Sequence, residues 1–251
     1  MSKKLENKVV IVTGASKGIG AGIAKQMGVS GAKVVVNYAS SKEGAEAVVA
    51  EIVKSGGNAI AVQGDMSKQT DVKRLFEETV KVFGGLDVLV NNAGIYEFAL
   101  LDTFTEDSYR RMFDINVLSL LLTSQEAVKL FSTNGGSIIN ISSFASTRPE
   151  PYSVVYGATK SAVDNITTSL SQELGPKNIR VNSIRPGGVF TEGVASLGAT
   201  EDSDAIKGMV NRSALGRMAT PNDIGKMAVF LASDDSTIIT GQTIEVSGGF
   251  K

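Results

Sequence analysis

The sequence predicts an α/β fold in which helices cover both faces of a doubly wound parallel β-sheet. Short continuous apolar runs, such as residues 9–12 and 87–90, alternate with longer stretches that carry apolar residues at helical spacing. Continuous runs are typical of strands that are buried on both faces, as in a parallel sheet. The alternation extends from end to end without an internal repeat or a linker, so residues 1–251 are predicted to form a single domain.

Composition excludes several kinds of chemistry. The 25 basic and 26 acidic residues give a net charge of −1, which is not the electrostatic signature of a nucleic-acid-binding protein. The absence of histidine and cysteine excludes Ser-His-Asp machinery, cysteine nucleophiles and thiolate metal sites. No acidic cluster suggests a metal site either. The charged N-terminus and the lack of an apolar run near the ~20 residues that span a bilayer predict a cytoplasmic protein without membrane contact.

A glycine-rich turn follows the first predicted strand and has the features of a phosphate-binding site. It reads Thr-Gly-Ala-Ser-Lys-Gly-Ile-Gly over residues 13–20 and opens a helix with Ile19, Ile23, Ala24 and Met27 on one side. This arrangement aims backbone N–H groups and a helix N-terminus at a phosphate. The GxxxGxG spacing differs from the general GxGxxG fingerprint. It resembles the cofactor motif of the short-chain dehydrogenase/reductase family, whose members have a Rossmann fold.

The second predicted strand, residues 33–37, bears on the choice between NAD and NADP. In NAD-binding folds an acidic residue near the end of this strand binds the adenosine ribose. Here the strand ends in Asn37, and the next carboxylate is Glu43. Groups that suit a 2′-phosphate lie nearby instead: Lys17, Ser40, Ser41 and Lys42. We therefore predict a preference for NADP(H) over NAD(H); the alternative is that the lysines are ordinary surface residues.

The middle of the chain continues the alternation. Strands are predicted at 59–63 and 87–90. One predicted helix carries apolar residues at helical spacing: Ala45, Val48, Val49, Ile52 and Val53. The next carries an apolar stripe that we assign to the core: Val72, Leu75, Phe76, Val80 and Phe83. Asp65 and Met66 follow the first of these strands. The resemblance implies that they flank the adenine, whereas a turn aspartate that caps the next helix is the alternative. Residues 91–94, Asn-Asn-Ala-Gly, form a second family motif, which implies contact with the adenosine side of the cofactor.

Tyr156 and Lys160 carry the predicted proton chemistry. Four residues apart, they lie on one face of a helix. An ammonium beside a phenol lowers the tyrosine pKa from about 10, which makes the phenol a usable proton donor or acceptor near neutral pH. The alternative is a solvated helix face, which is what most Tyr–Lys pairs at this spacing form.

Two further polar positions complete the expected catalytic set. Ser142 and Ser143 follow a strand predicted at 137–141, at the edge where open parallel sheets bind ligands. The family's serine typically lies about thirteen positions before the tyrosine, which selects Ser143 and leaves Ser142 structural. Asn116 lies among apolar residues of a helix that starts at Thr105. The resemblance implies that it helps to hold a water near the lysine; the alternative is an asparagine bonded to the backbone or facing solvent.

The C-terminal part adds a predicted strand at 179–184, a Pro-Gly turn, a helix beginning Thr220-Pro221, and a last strand at 242–246. The resemblance implies that the turn closes over the nicotinamide, with Val189 and Thr191 near its carboxamide and the phosphates. Residues 193–204 are predicted to form a mobile lid over the substrate. The stripe of Val163, Ile166, Leu170 and Leu174 is assigned either to the core or to a subunit interface, because the family commonly forms homotetramers.

The resemblance covers essentially the whole chain and implies an oxidoreductase. It implies that Tyr156 donates a proton to the developing alkoxide, that Ser143 hydrogen-bonds the same oxygen, and that Lys160 holds the nicotinamide ribose while Asn116 supports the proton path. The implied cofactor contacts are Gly14, Ser16, Lys17, Gly18, Ile19, Gly20, Asn37, Ser40, Ser41, Asp65, Met66, Asn92, Ala93, Gly94, Tyr156, Lys160, Pro186, Gly187, Val189 and Thr191.

The substrate is less constrained than the mechanism. Candidate pocket residues are Tyr96, Glu97, Glu150 and Tyr152. Aromatic groups favour a small or medium ketone or aldehyde, whereas several nearby acids disfavour a carrier-protein thioester. Glucose oxidation and 3-oxoacyl thioester reduction share the same framework and remain alternatives. A non-catalytic NADP-binding sensor is the alternative from another class, although a protein that only binds NADP does not need all four catalytic residues.

Overall fold

The strands form one parallel sheet at the centre of the molecule. The structure, a computed structural model, describes residues 3–192 and 203–251. The seven strands lie in the order β3-β2-β1-β4-β5-β6-β7. Their bounds are β1 Val9–Val12, β2 Lys33–Tyr38, β3 Asn58–Gln63, β4 Val88–Asn91, β5 Gly136–Ile141, β6 Ile179–Pro186 and β7 Thr243–Val246. The chain moves outwards from β1 to β3 and then returns to β4, which confirms the predicted doubly wound topology.

Helices cover both faces of this sheet. They are α1 Gly18–Val29, α2 Lys42–Lys54, α3 Gln69–Phe83, α4 Glu106–Phe113, α5 Ser119–Leu130, α6 Val154–Leu174, α7 Asp204–Arg212 and α8 Pro221–Ala232. A π-helical turn, Asp114–Leu118, joins α4 directly to α5. In the described ranges 3–192 and 203–251, no helix is both long enough and apolar enough to cross a membrane.

The two faces of the sheet explain the continuous apolar runs. Val10 and Val12 pack into the cluster under α1, α2 and α8, while Val9 and Ile11 pack into the cluster under α3, α5 and α6. Alternate residues of one strand therefore enter different cores. On the first face, α1 approaches α8 closely at Gly22, where an added Cβ would lie 2.4 Å from Cβ of Pro221.

Helix starts agree with the sequence, but some stripe positions do not. At the start of α4, Thr105 accepts a hydrogen bond from the Ser108 amide. At the start of α8, Thr220 forms a capping box with Asp223, and the proline that follows Thr220 occupies the first helical position. Val80, which is expected in the core, is 37% exposed, and Val53 in the preceding helix is 53% exposed. Both valines lie at the edge of the apolar stripe of their helix, on the side that faces away from the sheet.

The long apolar stripe of α6 lies largely within the subunit. Val163 and Leu174 are buried, and Leu170 packs against the cluster on its own face of the sheet. Ile166 is half-buried. The intramolecular alternative therefore accounts for most of this stripe.

Candidate active site

The carboxyl ends of the central strands open into a cleft of about 570 Å³. Its lining combines the glycine turn with the predicted catalytic groups and includes Gly14, Lys17, Gly18, Ile19, Gly20, Asn92, Gly94, Ser143, Tyr156, Lys160, Pro186, Gly187, Val189 and Thr191. These residues are distant in the chain, but parallel strands bring their carboxyl ends to one edge of the sheet. The structure thus brings most of the predicted site residues into one cleft.

The turn after β1 and the loop after β4 are locked together. An added Cβ at Gly14, whose φ is +59°, would lie 2.9 Å from Cα of Ala93, so only glycine permits this approach. Oγ1 of Thr13 accepts hydrogen bonds from the amides of Asn92 and Ala93, both at 3.0 Å. Nδ2 of Asn92 donates to the carbonyls of Thr13 and Gly14 at 2.9 and 3.0 Å. This network fixes one wall of the cleft.

Asn37, a predicted cofactor contact, bonds the backbone around the glycine turn. Its Oδ1 accepts a hydrogen bond from the Gly14 amide at 3.1 Å, and its Nδ2 donates to the carbonyls of Val62 and Gly64 at 3.3 and 3.1 Å. The side chain is almost fully buried. Because its polar atoms bond the backbone of both the glycine turn and the end of β3, Asn37 holds the glycine turn in place.

Asp65 and Met66 also serve the fold. Oδ1 of Asp65 accepts hydrogen bonds from the amide and the hydroxyl of Ser67, at 3.0 and 2.7 Å, so this carboxylate organises the turn before α3. Met66 is buried and packs with Val72 and Leu75 in the second core cluster. The turn-aspartate alternative therefore describes the observed contacts of Asp65.

Exposed polar groups lie where the 2′-phosphate was predicted. Lys17, Ser40, Ser41 and Lys42 are all exposed. An added Cβ at Gly44 would lie 2.7 Å from both the Ser16 carbonyl and Oγ of Ser41, which places the glycine turn beside the start of α2. Lys42 also forms an exposed ion pair with Glu46 at 3.6 Å.

The start of α6 and the end of β5 hold the predicted catalytic side chains. Nζ of Lys160 lies 5.8 Å from the centroid of the Tyr156 ring and donates a hydrogen bond to the Ile141 carbonyl at 2.9 Å. The Ser143 hydroxyl lies near the Tyr156 phenol in the same cleft. Ser142 instead donates to the Lys160 carbonyl at 3.2 Å and fastens β5 to α6, which is the structural role expected for it.

Burial controls the ionisation of these groups. It raises the pKa of the Tyr156 phenol above its ordinary value, and the Ser143 hydroxyl acts in the opposite direction. Burial lowers the pKa of Lys160 to about 8, opposed by the negative charge of Asp164. The expectation that Lys160 lowers the pKa of Tyr156 below its ordinary value is thus wrong in its net direction. The cost of burying a phenolate is the larger effect.

Asn116 lies in the π-helical turn and holds the loop after β4. Its Oδ1 accepts from the Ile95 amide at 2.8 Å, while its Nδ2 donates to the Ile95 carbonyl and to Oγ1 of Thr159 at 2.9 and 3.0 Å. An added Cβ at Gly94 would lie 3.3 Å from Oδ1 of Asn116 and 3.6 Å from Nζ of Lys160. The asparagine is therefore bonded to the backbone and also faces the lysine across a narrow gap.

Sequence reasoning missed Glu192. Its Oε2 accepts a hydrogen bond from the Gly18 amide at 3.0 Å, at the first residue of α1. A helix N-terminus favours anions, so this carboxylate occupies a position that suits a phosphate. The only sequence signal was that Glu192 directly follows the predicted cofactor contact Thr191.

The predicted pocket residues separate into two groups. Tyr96 and Glu97 line the cleft, together with Arg111 and Ile95, which the sequence did not single out. Glu150 pairs with Arg212 on the surface. Tyr152 lines a second cavity of about 240 Å³ between α4 and α6. Most of the predicted lid, 193–202, lies outside the described residues.

Comparisons with known proteins agree on one family. Residues 14–251 match the family model described as enoyl-(acyl carrier protein) reductase. An uncharacterized oxidoreductase of Methylorubrum extorquens is 52% identical over 99% of both chains. A hydroxynaphthalene reductase-like protein of Metarhizium guizhouense is 39% identical over 98% of this chain and 96% of its own. The crystal structure of a short-chain dehydrogenase from Burkholderia cenocepacia in complex with NADP superposes with a TM-score of 0.91, at 34% identity over 98% of each chain.

Proposed function

The chain belongs to the short-chain dehydrogenase/reductase family of oxidoreductases, and from that premise we propose that it reduces the carbonyl of a ketone or aldehyde to an alcohol with NADPH. One observation carries the proposal. The hydroxyls of Ser143 and Tyr156 share a cleft with the glycine turn that follows β1. The phosphate-binding turn suits a nicotinamide cofactor, and the proton donor in another part of the same cleft suits a small polar substrate.

The residues present fit a dinucleotide. The Gly18 amide already donates a hydrogen bond to the Glu192 carboxylate, so its N–H is placed to bind an anion. An added Cβ at Gly20 would lie 2.4 Å from Nδ2 of Asn92, which indicates how closely backbone and side chains approach there. Gly14, Gly18 and Gly20 would hold the phosphates, and Lys160 the nicotinamide ribose. When bound, the nicotinamide supplies a hydride to the carbonyl carbon.

The chain's own residues supply the proton. The Tyr156 hydroxyl donates its proton to the carbonyl oxygen as that oxygen gains negative charge, and the Ser143 hydroxyl donates a hydrogen bond to the same oxygen. The raised pKa of Tyr156 keeps the phenol protonated at neutral pH, as a donor requires. The positive charge of Lys160 stabilises the phenolate that remains.

Asn116 and Lys160 serve the return of a proton to Tyr156. Both side chains face the space beside Gly94. A water held there by Asn116 passes a proton from solvent to the lysine, which restores the phenol. The backbone bonds from Asn116 to Ile95 keep that space open by fixing the loop after β4.

The cofactor is NADP(H) in preference to NAD(H). β2 ends without a carboxylate, and the exposed Lys17, Ser40 and Ser41 lie beside the glycine turn. A carboxylate there would bind a ribose hydroxyl and repel a 2′-phosphate, whereas a lysine attracts the phosphate. The NADP complex of the Burkholderia relative supports the same choice.

The protein works as a homotetramer. Leu118 at the end of the π-helical turn and Leu121 in α5 are exposed, and Ile238, which precedes β7 in the chain, is 96% exposed. Exposed apolar side chains in separate elements suit contacts between copies. Light scattering measures the mass in solution, and a monomer at micromolar concentration contradicts this proposal.

The function is tested by oxidation of NADPH and NADH with a panel of ketones, aldehydes, 3-oxo esters and an enoyl thioester. Glucose with NADP or NAD is tested in the opposite direction. Turnover of ketones or aldehydes with NADPH, and slower turnover with NADH, supports the proposal. If only glucose or only the enoyl thioester is turned over, that compound's class replaces ketones and aldehydes as the proposed substrates. NADPH binding without turnover of any compound contradicts the enzymatic proposal and favours a non-catalytic sensor.

A further inference from the structure

Two aromatic rings contact the ring of Tyr156, and one of them, Tyr96, lines the cleft. The Tyr96 and Phe98 rings lie with their centroids 6.3 and 6.4 Å from that of Tyr156, both edge-on. The two rings are 5.6 Å from each other and tilted by 47°. They remain 45% and 62% exposed, although large apolar side chains of this size normally bury most of their surface. We call this pair the aromatic wall.

The segment that carries the aromatic wall has no regular secondary structure but is held at both ends. On the near side, Asn116 binds both the amide and the carbonyl of Ile95. On the far side, the Ala99 amide donates to the Tyr152 carbonyl at 2.9 Å. The two rings lie between these anchors, so their backbone is fixed before any ligand arrives.

A third anchor lies between the rings. Oε2 of Glu97 accepts from the Ser108 hydroxyl at 2.7 Å, and its Oε1 accepts from Nη1 of Arg111 at 3.0 Å. Glu97 is thereby turned towards α4, while the rings of both its neighbours lie against Tyr156. The pairing of Glu97 with Arg111 also neutralises the charge of both side chains beside the wall.

The anchor at Tyr152 has an unfavourable backbone. Its φ is +70°, a left-handed conformation that residues with bulky side chains rarely adopt. Such conformations persist only where the surrounding structure requires them, and they concentrate at functional sites. Here the conformation orients the carbonyl that holds Ala99, two residues before α6 begins at Val154.

We propose that Tyr96 and Phe98 are specificity-determining residues, which select neutral carbonyl compounds with a planar aromatic or conjugated ring next to the carbonyl. Tyr152 is a positioning residue for this wall. The inference rests on the proposed function, because the carbonyl oxygen must reach Ser143 and Tyr156. A flat ring fits against tilted aromatic faces with favourable edge and face contacts, whereas a saturated ring of the same size does not. The paired charges of Glu97 and Arg111 give no partner to a charged substrate.

The test compares two ketones of equal size, acetophenone and cyclohexyl methyl ketone, with NADPH. The measured quantity is the ratio of their kcat/KM values, taken relative to the native protein so that intrinsic reactivity cancels. We expect the double variant Tyr96→Leu/Phe98→Leu to lower this ratio about tenfold, mainly through KM for acetophenone. Phe104→Leu is the matched control, because Phe104 lies on the same loop but packs against Tyr109. An unchanged ratio in the double variant overturns the proposal.

Binding separates this proposal from the proposed function. Benzamide and cyclohexanecarboxamide present the same carbonyl oxygen but are not reduced, and their affinities for the NADPH complex are measured by NMR titration. We expect the native protein to favour benzamide and the double variant to lose that preference. If no ketone is turned over but the native protein prefers benzamide and the double variant does not, the proposed reaction is wrong and the role of the aromatic wall in binding is supported. Equal affinities of the native protein for both amides contradict the proposal that the aromatic wall selects planar rings.

The role of Tyr152 has its own variants. Tyr152→Asn tolerates a left-handed backbone and is expected to retain the ketone ratio, whereas Tyr152→Val disfavours that backbone and is expected to lower the ratio. Thermal unfolding of both variants identifies any general loss of structure. Equal ratios in two folded variants contradict the positioning role. If Tyr152→Val does not fold, loss of the ratio in Tyr152→Asn contradicts it instead.

Discussion

The two edges of the sheet each carry a polar cleft, and they differ in how their charged groups are partnered. The cleft at the carboxyl edge measures about 570 Å³ and the one at the amino edge about 440 Å³. At the amino edge Lys8 pairs with Asp87, whose second oxygen accepts from the Val9 amide. At the carboxyl edge Tyr156 is half-buried and Lys160 is buried, and the loss of solvent shifts both of their pKa values. The shifted pKa values of two groups that can transfer a proton, rather than volume or polarity, therefore distinguish the candidate active site.

The connections at the two edges differ as well. At the amino edge, residues 30–32, 55–57 and 84–87 close short turns between helices and strands. At the carboxyl edge, 92–105 and 142–153 are long and carry Tyr96, Phe98 and Ser143. Short connections leave little backbone with which to position a ligand. Long ones that are anchored by hydrogen bonds can place side chains without being part of a strand or helix.

The largest expected effect comes from removing one oxygen at the carboxyl edge. Tyr156→Phe is expected to lower kcat about 10²- to 10⁴-fold, because it removes the proton donor. NADPH binding, measured by fluorescence titration, is expected to persist. Tyr109→Phe is the control, since Tyr109 packs against Phe113 outside the cleft. Retention of more than a few per cent of activity removes Tyr156 from the role of acid.

The buried lysine predicts a pH dependence of activity. The charged form of Lys160 prevails below its pKa of about 8, so the rate of carbonyl reduction is expected to decline as the pH rises through that value. In Lys160→Arg the charge persists at these pH values, and the decline is expected to move upwards even though the rate is lower. An identical pH profile in both proteins contradicts a role for the lysine charge.

The same group predicts a pH dependence of stability. Between pH about 8 and the ordinary lysine value of 10.5, the unfolded chain binds more protons at Lys160 than the folded one. Its contribution to the free energy of unfolding therefore rises with pH across this window. Urea unfolding at several pH values checks this, with Lys160→Met expected to lack that part of the slope. A slope that is the same in the variant contradicts the effect.

A smaller effect is expected at the phosphate-binding turn. Glu192→Gln is expected to lower KM for NADPH about twofold to fivefold, because an exposed carboxylate no longer competes for the Gly18 amide and repels no phosphate. Lys17→Gln is the opposed variant and is expected to raise KM for NADPH with little change for NADH. Steady-state kinetics at low ionic strength measure both. A higher KM in Glu192→Gln contradicts the competition.

The smallest kinetic effect is expected at the amino edge. Within the described residues, Nη1 of Arg180 is buried without a hydrogen-bond partner. Arg180→Met is expected to leave kcat/KM within about twofold and to leave the free energy of unfolding nearly unchanged, because the only hydrogen bond of this side chain among the described residues is a long one, from Nη2 to the Ser233 carbonyl at 3.4 Å. A tenfold loss of activity would contradict the distinction between the two edges, because it would show that the amino edge contributes to catalysis.

Patterns among neighbouring residues predicted the fold, the glycine turn and the Tyr156–Lys160 pair. The apolar runs identify the strands, and the spacing of the glycines and of Tyr156 and Lys160 depends only on neighbouring residues. The role of Asn37 was not predictable, because its partners Val62 and Gly64 are set by the pairing of β2 with β3. The contact between Glu192 and Gly18 likewise joins residues that are distant in the chain. The net pKa of Tyr156 depends on burial, which a motif does not contain.

The π-helical turn Asp114–Leu118 makes the number of residues in the α4–α5 segment a constraint in itself. Each residue of an α-helix advances the chain by about 100°, because a turn contains 3.6 residues. Deleting one residue from the turn would yield an unbroken α-helix but rotate α4 by roughly that angle relative to α5. Ser108 and Arg111 would then move away from Glu97, and the segment beside Tyr156 would lose an anchor. A deletion that improves the helix would thus damage the site, so length variants of this segment should be rarer than substitutions.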